Sequence, residues 1–491
     1  MPHPDHTHQR SDLVRIATAA MTEHGLEPEF SERVKQQLAA ITGSGLETGP
    51  EIKDLTQLLW CSIDNDDSLD LDQLTVSEPL PQGAVRLRVA IADVDALVKK
   101  GTPIDDHAHM NTTSVYTSAR IFPMLPERLS TDLSSLNAHE DRLALVSEMV
   151  FSADATLTGS SVYRALVRNQ AKLAYDAVAA WIVGEGALPA AAAAVPGMEE
   201  QLRTQDALAQ QLRQRRHEQG SLEFETFQPR ALFEGEKVVG IQQQVHNRAR
   251  QLIEEVMIAT NGCMAHFLEQ RGGASLRRVV RSPERWLRIV AVAKDYGETL
   301  PDQPDSMALA AFLAKRHKAD PLRFPDLSLV IIKLMGSGEY VVEAPGATPI
   351  GHFGLAVRDY THSTAPNRRY PDLITSRMVK AALSHQPAPY NQAELSALAE
   401  HCTLQENAAQ KVERQLRKSE AALLLESRVG QYFDAIVTGS SDKGVWVRTF
   451  SPPAEGKLME ASVSLRVGEK IRVKLISTDV ERGFIDFVQT H

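Results

Sequence analysis

The spacing of apolar residues divides the chain into three regions of different character. Between residues 10 and 45, an apolar set that includes Leu13, Ile16 and Met21 recurs at helical spacing and predicts two short helices. These helices form a small module, for which a helix-turn-helix is one interpretation and a plain helical cap on the core is the other. The pattern over residues 54–180 predicts mixed α/β structure. Strands are predicted around residues 57–63, 85–92 and 143–152.

The second half of this middle region is predicted to be mainly helical. Residues 186–197 carry a proline near each end and indicate a loop or a short helical spacer. Residues 221–245 alternate in the manner of strands. Helices are predicted over residues 198–217, 247–271, 366–384 and 393–428.

From about residue 430 the pattern changes to short alternating strands separated by turn residues. Strands are predicted over residues 433–437, 444–448, 470–476 and 483–488, with a fifth near 457–464. A run of short strands of this size is typical of an OB-type barrel.

An acidic stretch lies between two apolar runs near the start of the mixed α/β region. It extends from Ser62 to Leu74 and contains five aspartates. Two carboxylates about 4 Å apart repel each other by roughly 4 kcal/mol at an effective dielectric constant near 20. The cluster therefore needs protons, water or a divalent cation, and sites made only of oxygen ligands suit Mg²⁺, Mn²⁺ or Ca²⁺.

The spacing of this acidic stretch excludes a calcium-binding EF-hand loop. A loop that begins at Asp64 requires glycine at its sixth position and glutamate at its twelfth. The chain has Leu69 and Thr75 there. The residues by themselves leave two interpretations open, a catalytic Mg²⁺ or Mn²⁺ site and a solvated acidic loop.

The order of these aspartates resembles the first motif of the ribonuclease II / ribonuclease R family, the hydrolytic 3′→5′ exoribonucleases. Three further stretches follow in the family's order, and the resemblance covers roughly residues 50–425. They are SVY at 114–116 with IFPMLP at 121–126, LIEEVMIATN at 252–261, and HFGL at 352–355 with YTHSTAPNRRYPD at 360–372. The tail resembles an S1-type RNA-binding barrel.

The resemblance implies three domains. Residues 1–50 form the helical amino-terminal module, residues 51–428 an α+β catalytic domain with a mixed sheet and helices, and residues 429–491 an S1-type OB barrel. Better-known members of the family carry two cold-shock barrels before the catalytic domain, and about fifty residues cannot hold two such barrels.

The family's metal site is expected at the acidic stretch. The resemblance implies that Asp64, Asp70 and Asp72 bind Mg²⁺, with Mn²⁺ as a possible substitute, and that Asp70 and Asp72 are catalytic. The family has a fourth aspartate where this chain has Gln73, whose amide oxygen is a neutral ligand. The predicted site therefore carries one negative charge fewer than the family's site.

The resemblance also implies which residues hold the scissile nucleotide. Arg368 matches the arginine that contacts the scissile phosphate, a task that suits a guanidinium fork. Tyr116 matches an aromatic residue that stacks on the 3′-terminal base, and Phe224 is its expected partner, with a core role as the alternative. The motif around Arg368 departs from the family at Ala365 and Asn367, where serine and isoleucine are usual.

Three further residues complete the predicted RNA contacts. Glu254 and Glu413 match acids near the last nucleotide, where they would accept hydrogen bonds from ribose hydroxyls. Glu413 lies in a helix full of charges, so a solvated helix face is its alternative. In the barrel, Trp446, with neighbouring basic and aromatic residues such as Arg448, is predicted to contact single-stranded RNA.

Composition limits the remaining function classes. The net charge of −10 argues against a protein that coats nucleic acid non-specifically. The three cysteines are far apart, which fits a reducing cytoplasm, and neither a secretory signal nor a membrane span is expected. Family resemblance favours a monomer without a small-molecule cofactor.

The sequence therefore predicts a Mg²⁺-dependent, processive 3′→5′ exoribonuclease that acts on single-stranded RNA and releases nucleoside 5′-monophosphates. A catalytically weakened or silent RNA-binding homologue is the alternative, which Gln73 keeps open. A metal-dependent phosphodiesterase for small molecules has no use for the S1-like tail.

Overall fold

The computed structural model describes residues 9–226, 229–243, 246–441, 444–459, 465 and 468–490. Within these residues a seven-stranded mixed sheet has the strand order β1-β8-β7-β4-β3-β2-β9, and β5 and β6 form a separate hairpin. The strands are β1 (Ile52–Asp54), β2 (Cys61–Asp64), β3 (Gln73–Pro79), β4 (Val85–Ala92), β5 (Val115–Tyr116), β6 (Ile121–Phe122), β7 (Asp141–Phe151), β8 (Leu157–Arg168) and β9 (Ala171–Ala174). The β2–β9 and β1–β8 pairs are parallel, and the other pairs in the sheet are antiparallel.

Helices cover this sheet and build the region that follows it. They are α1 (Arg10–Glu23), α2 (Glu32–Ala40), α3 (Pro103–Asn111), α4 (Tyr175–Ile182), α5 (Ala190–Ala193), α6 (Met198–Glu218), α7 (Arg248–Gln270), α8 (Trp286–Asp295), α9 (Ser306–Ala319), α10 (Phe324–Met335), α11 (Tyr370–Leu383) and α12 (Gln392–Glu426). No helix of the described residues combines the length and the apolar character that crossing a membrane requires.

Two short antiparallel pairs and a closed barrel complete the fold. They consist of β10 (Pro229–Glu234) with β11 (Lys237–Gln243), β12 (Ser275–Val279) with β13 (Glu339–Glu343), and the barrel strands β14 (Tyr432–Ser441), β15 (Gly444–Thr449), β16 (Glu455–Leu458), β17 (Lys470–Asp479) and β18 (Phe484–Thr490). The barrel and the α+β domain confirm the predicted fold class. The predicted fifth barrel strand near 457–464 falls partly outside the described residues, and β16 ends at Leu458.

The amino-terminal helices confirm the predicted helical region, but their packing does not support a helix-turn-helix. In the described chain, α1 packs against α12, whereas α2 packs against α3. Leu13 and Ile16 of α1 belong to a core that the barrel shares, and Val34 of α2 belongs to the core of the central sheet. Each helix is therefore part of the larger structure, because its apolar face is buried against the catalytic domain.

Some other elements begin at different residues from those predicted, and one strand was missed. The strand predicted over 57–63 begins only at Cys61, because the indole of Trp60 donates a hydrogen bond to Leu55 O (2.9 Å) across a turn. Strand β8 was not predicted. The start of the segment predicted as alternating strands is also irregular, and the Leu222 N–H bonds to Gly354 O (2.8 Å) instead of a neighbouring strand. The domain boundaries at residues 50 and 428 stay predictions.

Candidate active site

The aspartate-rich loop leaves the carboxyl end of β2, where that strand runs parallel to β9. Asp64 is the last residue of β2 and pairs with Ala174, the last residue of β9. Further along the loop, the Leu71 N–H donates to Ser135 Oγ (2.9 Å) and the Ala92 N–H donates to Asp72 O (3.0 Å). The sheet thus holds the loop at both ends, so that its carboxylates have defined positions.

The first pair in this loop joins Asp64 to Gln73, the first residue of β3. The Gln73 amide donates to Asp64 Oδ1 at 3.0 Å. Burial raises the pKa of Asp64 to about 6, although the Gln73 hydrogen bond lowers it. Asp64 Oδ2 is buried without a hydrogen-bond partner among the described residues. An oxygen of this kind is a ligand atom available to a cation.

Asp72 lies deeper and faces the arginine motif. Its side chain is 2% exposed, Oδ1 accepts from the Asn367 N–H (2.9 Å) and Oδ2 accepts from Arg368 Nε (3.3 Å). Burial raises the pKa of Asp72 to about 7, against the lowering effect of the Arg368 charge. The structure therefore brings together two residues separated by nearly three hundred positions in the chain.

A network around Arg369 holds the loop that carries Arg368. Arg369 Nη2 donates to Asp372 Oδ1 (2.7 Å), and the Ala365 N–H donates to the same oxygen (2.8 Å). The Ser114 N–H donates to Arg368 O (3.0 Å), which places the strand of Tyr116 beside the arginine motif. These contacts use the backbone of Arg368 and the side chains of its neighbours, so they leave the Arg368 guanidinium to contact Asp72 and to face the site.

Tyr116 connects Asp70 with Glu413 of α12. The Tyr116 hydroxyl donates to Asp70 Oδ2 (3.2 Å), and the Tyr116 N–H donates to Glu413 Oε1 (3.1 Å). The tyrosine side chain is 41% exposed. Burial raises the pKa of Glu413, against the lowering effect of the bond from Tyr116. The aromatic face of Tyr116 is therefore open while both ends of the residue are held.

The predicted metal ligands fit a hard cation by chemistry but do not converge into one shell. In the described part of the chain, no group of three or more His, Cys, Asp or Glu side chains lies close enough together to hold a metal ion. This arrangement differs from the predicted set because Asp72 faces Arg368 and Asp70 faces Tyr116. The donors are nevertheless oxygens, as Mg²⁺ and Mn²⁺ prefer, and no described residue competes for Asp64 Oδ2.

A cavity of about 690 Å³ opens beside these residues. Its charged and aromatic lining consists of Asp67, Asp70, Tyr116, Glu127, Arg368, Glu413, Arg417 and Glu420. This volume lies within the range of small-molecule sites, about 300–1,000 Å³, and suits one or two nucleotides. Because acids outnumber basic residues in the lining, a bound phosphate needs a cation in addition to the arginines.

Arg417 is a lining residue that the sequence analysis missed. It lies on α12 one turn after Glu413, and its positive charge lowers the pKa of that glutamate. The described residues offer its guanidinium no hydrogen-bond or ion-pair partner. Its spacing of four residues from Glu413 was the available signal that it faces the same way. Arg414 and Lys418 carry the same charge on the same helix, so the sequence alone did not single out Arg417.

Two of the RNA contacts predicted in the catalytic domain lie outside this cavity lining. Phe224 packs against the hydrophobic cluster of α8, α9 and α10, which is the core role left open for it. Glu254 is exposed on α7 and lies 3.6 Å from His246 Nε2. One turn earlier on α7, Arg250 Nη2 donates to Asn65 Oδ1 (2.7 Å), so the helix that carries Glu254 does contact the aspartate loop.

The barrel presents a different surface from the one predicted. Arg448 pairs through both terminal nitrogens with Asp326 of α10 (2.7 and 3.1 Å), so it joins the barrel to the helical region. Trp446 is half-buried and pairs with Gly439 across β14 and β15. An exposed ring was missed at Tyr432, which Arg472 and Lys474 approach at 5.9 and 5.6 Å from the ring centroid.

Comparisons with known proteins match two parts of the chain to known family models. The family model described as RNB domain matches residues 52–385, and the model described as RNase II-type exonuclease C-terminal S1 domain matches residues 431–490. Ribonuclease R of Vibrio cholerae serotype O1 is 29% identical over 511 residues, which cover 95% of this chain and 60% of that protein. The chain thus spans about three fifths of the length of this curated relative.

Solved structures share the fold. RNase R of Mycoplasma genitalium, in complex with ribose-methylated single-stranded RNA, matches with a TM-score of 0.88 at 22% identity, covering 98% of this chain and 78% of that chain. Yeast Ssd1, described as a pseudonuclease, matches with a TM-score of 0.69 at 15% identity, covering 94% of this chain and 57% of that chain. At these identities the likeness establishes the fold alone.

Proposed function

Because the chain belongs to the RNB-domain family, we propose that it is a divalent-cation-dependent exoribonuclease that degrades single-stranded RNA processively from its 3′ end to nucleoside 5′-monophosphates. The family match confirms the resemblance drawn from the motifs. One observation carries the proposal. Asp70, Tyr116, Arg368 and Glu413 belong to four distant parts of the chain and line the same cavity.

The phosphate is assigned to Arg368 and the acidic loop. A divalent cation held by Asp64, Asp70 and Asp72, with Gln73 beside Asp64, would act as a Lewis acid on the scissile phosphate. The Arg368–Asp72 contact of 3.3 Å is longer than a typical charge-assisted bond of about 2.7–2.9 Å. The guanidinium can therefore exchange this partner for two phosphate oxygens.

The terminal nucleoside is assigned to Tyr116 and Glu413. The open ring of Tyr116 offers a stacking surface that accepts any base. Glu413 uses one carboxylate oxygen for the Tyr116 backbone, which leaves the other to accept a hydrogen bond from a ribose hydroxyl. Contact with the 2′-hydroxyl is what distinguishes RNA from DNA.

The barrel is assigned to RNA farther from the reacting end. Tyr432, Arg472 and Lys474 form an exposed aromatic and basic surface, as does Phe450 with Lys470 above its ring (5.9 Å). Aromatic rings beside cations are a common means of binding single strands. RNA binding by Trp446 stays a prediction, as do the expected monomer and the cytoplasmic location.

A gel assay tests the proposed activity. The protein is incubated with Mg²⁺ and a 5′-labelled RNA, or with the same RNA blocked by a 3′-phosphate, and the products are resolved under denaturing conditions. We expect short labelled end products without a ladder of intermediates, and slower degradation of the blocked RNA. Shortening from the 5′ end, or products of internal cleavage, would contradict the assigned polarity.

A catalytically silent RNA-binding protein is the second candidate. Gln73, whose amide already bonds to Asp64, and the lack of convergence among the described acids favour it. A pseudonuclease has the same fold, so the fold alone does not decide between the two. Intact RNA in the gel assay, together with a mobility shift on a native gel, would select this candidate.

A further inference from the structure

The first turn of α1 touches the hairpin that carries Tyr116. Arg10 Nε and Nη2 donate to Ala119 O at 3.3 and 3.1 Å. Ala119 lies in the turn between β5 and β6, and Ser118 beside it lines the cavity. A residue 109 positions away in the sequence thus holds the tip of this hairpin.

Arg10 is itself fixed by a second hairpin. Its backbone N–H donates to Glu236 O (2.9 Å), and the Ser11 N–H donates to the Glu236 carboxylate (3.1 Å). The Arg10 guanidinium also lies 5.0 Å from the centre of the Phe233 ring, in the strand that precedes this turn. The second hairpin therefore contacts both the backbone and the guanidinium of Arg10, in addition to the bonds that Arg10 makes to Ala119 O.

Apolar residues of α1 and of the Tyr116 hairpin share one core. Leu13, Ile16 and Ala17 of α1 and Val115, Ala119 and Phe122 of the hairpin belong to one buried cluster, which also includes residues of α12 and of the barrel. An ion pair adds a link from the segment after α1, since Arg120 Nη1 lies 2.7 Å from Glu29 Oε1. The hairpin is thus held by α1 on one side and by Glu413 and Glu420 of α12 on the other.

We propose that α1 positions the terminal-base site, and that Arg10 is the residue through which it does so. The reason is that Tyr116 is the last residue of β5, directly before the turn that Arg10 holds. A shift of that turn moves the tyrosine ring relative to Asp70 and Arg368. Arg10 is a positioning residue, since it does not line the cavity, and the proposal rests on the stacking role assigned to Tyr116.

The test uses RNA that carries 2-aminopurine as its 3′-terminal base and a non-hydrolysable phosphonate as its last linkage, bound to the full chain in Mg²⁺ so that hydrolysis does not interfere. Stacking quenches the fluorescence of this base. Arg10→Gln is expected to weaken binding of this RNA about three- to tenfold and to reduce the quenching, because bonds from a charged donor are lost. Arg10→Lys, which keeps one donor, is expected to restore part of both.

Two controls separate positioning from general stability. Arg15→Gln removes a charge from the same helix at an exposed pair with Glu481, and it is expected to change nothing. An RNA whose last nucleotide lacks a base is expected to bind wild type and Arg10→Gln equally. Melting temperatures of all variants show whether each is folded.

The outcomes are distinct. A folded Arg10→Gln protein with unchanged quenching and affinity would overturn the proposal. Equal weakening for the RNA with and without the terminal base would also overturn it, because the effect would not act through stacking. If the wild-type protein itself neither binds nor degrades RNA, the proposed function fails, and the positioning role fails with it.

Discussion

The carboxylate of Asp72 is almost fully buried in the candidate site, held between Asn367 and Arg368. Asp72→Asn keeps an oxygen for the Asn367 N–H but removes the charge. Hydrolysis is therefore expected to fall below detection while RNA binding stays within about twofold of wild type. Gel assays and fluorescence anisotropy measure the two properties. Normal turnover would exclude Asp72 from the site, and Asp66→Asn, in the exposed part of the loop and outside the cavity lining, is the matched control.

Tyr116 can be tested through the length of the final product. Tyr116→Ala removes the ring, and stacking contributes about 1–3 kcal/mol per base. The last undegraded oligomer is therefore expected to lengthen by one or more nucleotides, with about tenfold or greater loss of affinity for short RNA. Sequencing gels show the end product. Tyr116→Phe keeps the ring and is expected to retain the wild-type product, so an unchanged product with alanine would refute stacking.

Arg417 differs from the neighbouring basic residues of α12, Arg414 and Lys418, because its side chain lines the cavity. We expect it to contact a phosphate of bound RNA. Arg417→Gln should therefore raise the KM for RNA several-fold. It should also make the slope of log K for RNA binding against log salt concentration shallower by somewhat less than one. Arg414→Gln, on the same helix outside the lining, is the control. Equal effects of the two substitutions would mean that only the charge of the helix matters.

At the scale of elements, the barrel is attached to α10 by the Arg448–Asp326 pair. Both side chains are largely buried, and burial raises the pKa of Asp326 against the effect of Arg448. Asp326→Asn leaves Arg448 without this counter-charge and is expected to lower the free energy of unfolding by about 1.5–3 kcal/mol. Urea unfolding of the full chain measures this, and Asp320→Asn, in a more exposed pair with Arg323, should have a much smaller effect.

The elements that the sequence predicted well are those with a long, regular pattern. Strand β4 and helices α6, α7 and α12 lie within one or two residues of their predicted bounds, because their apolar periods extend over many residues. Strand β8 was missed because its first five residues are all exposed and four of them are polar or small, so this half of the strand carries no alternating signal. The start of β2 depended on a turn at Trp60 that no periodicity encodes.

At the scale of the whole molecule, we assign hydrolysis to the acidic cavity and the binding of long RNA to the basic surface of the barrel. Removal of divalent cations with EDTA is expected to stop hydrolysis, because the cavity acids then repel the phosphate. Binding of long RNA should persist, since Tyr432, Arg472 and Lys474 use no metal. Anisotropy with and without EDTA, followed by Mg²⁺ addition, measures both. Hydrolysis that continues in EDTA would contradict the metal site.

The sequence by itself determined the family of the protein, because its motifs, including those that contain Asp72 and Arg368, place particular functional groups at particular spacings. It also determined the main elements and the barrel through their periodic patterns. Tertiary structure alone decided which distant groups meet. Arg448 pairs with Asp326, and Arg10 donates hydrogen bonds to the backbone carbonyl of Ala119, over separations of more than one hundred residues. No local pattern encodes such contacts, because they depend on how the packed elements place each side chain in space.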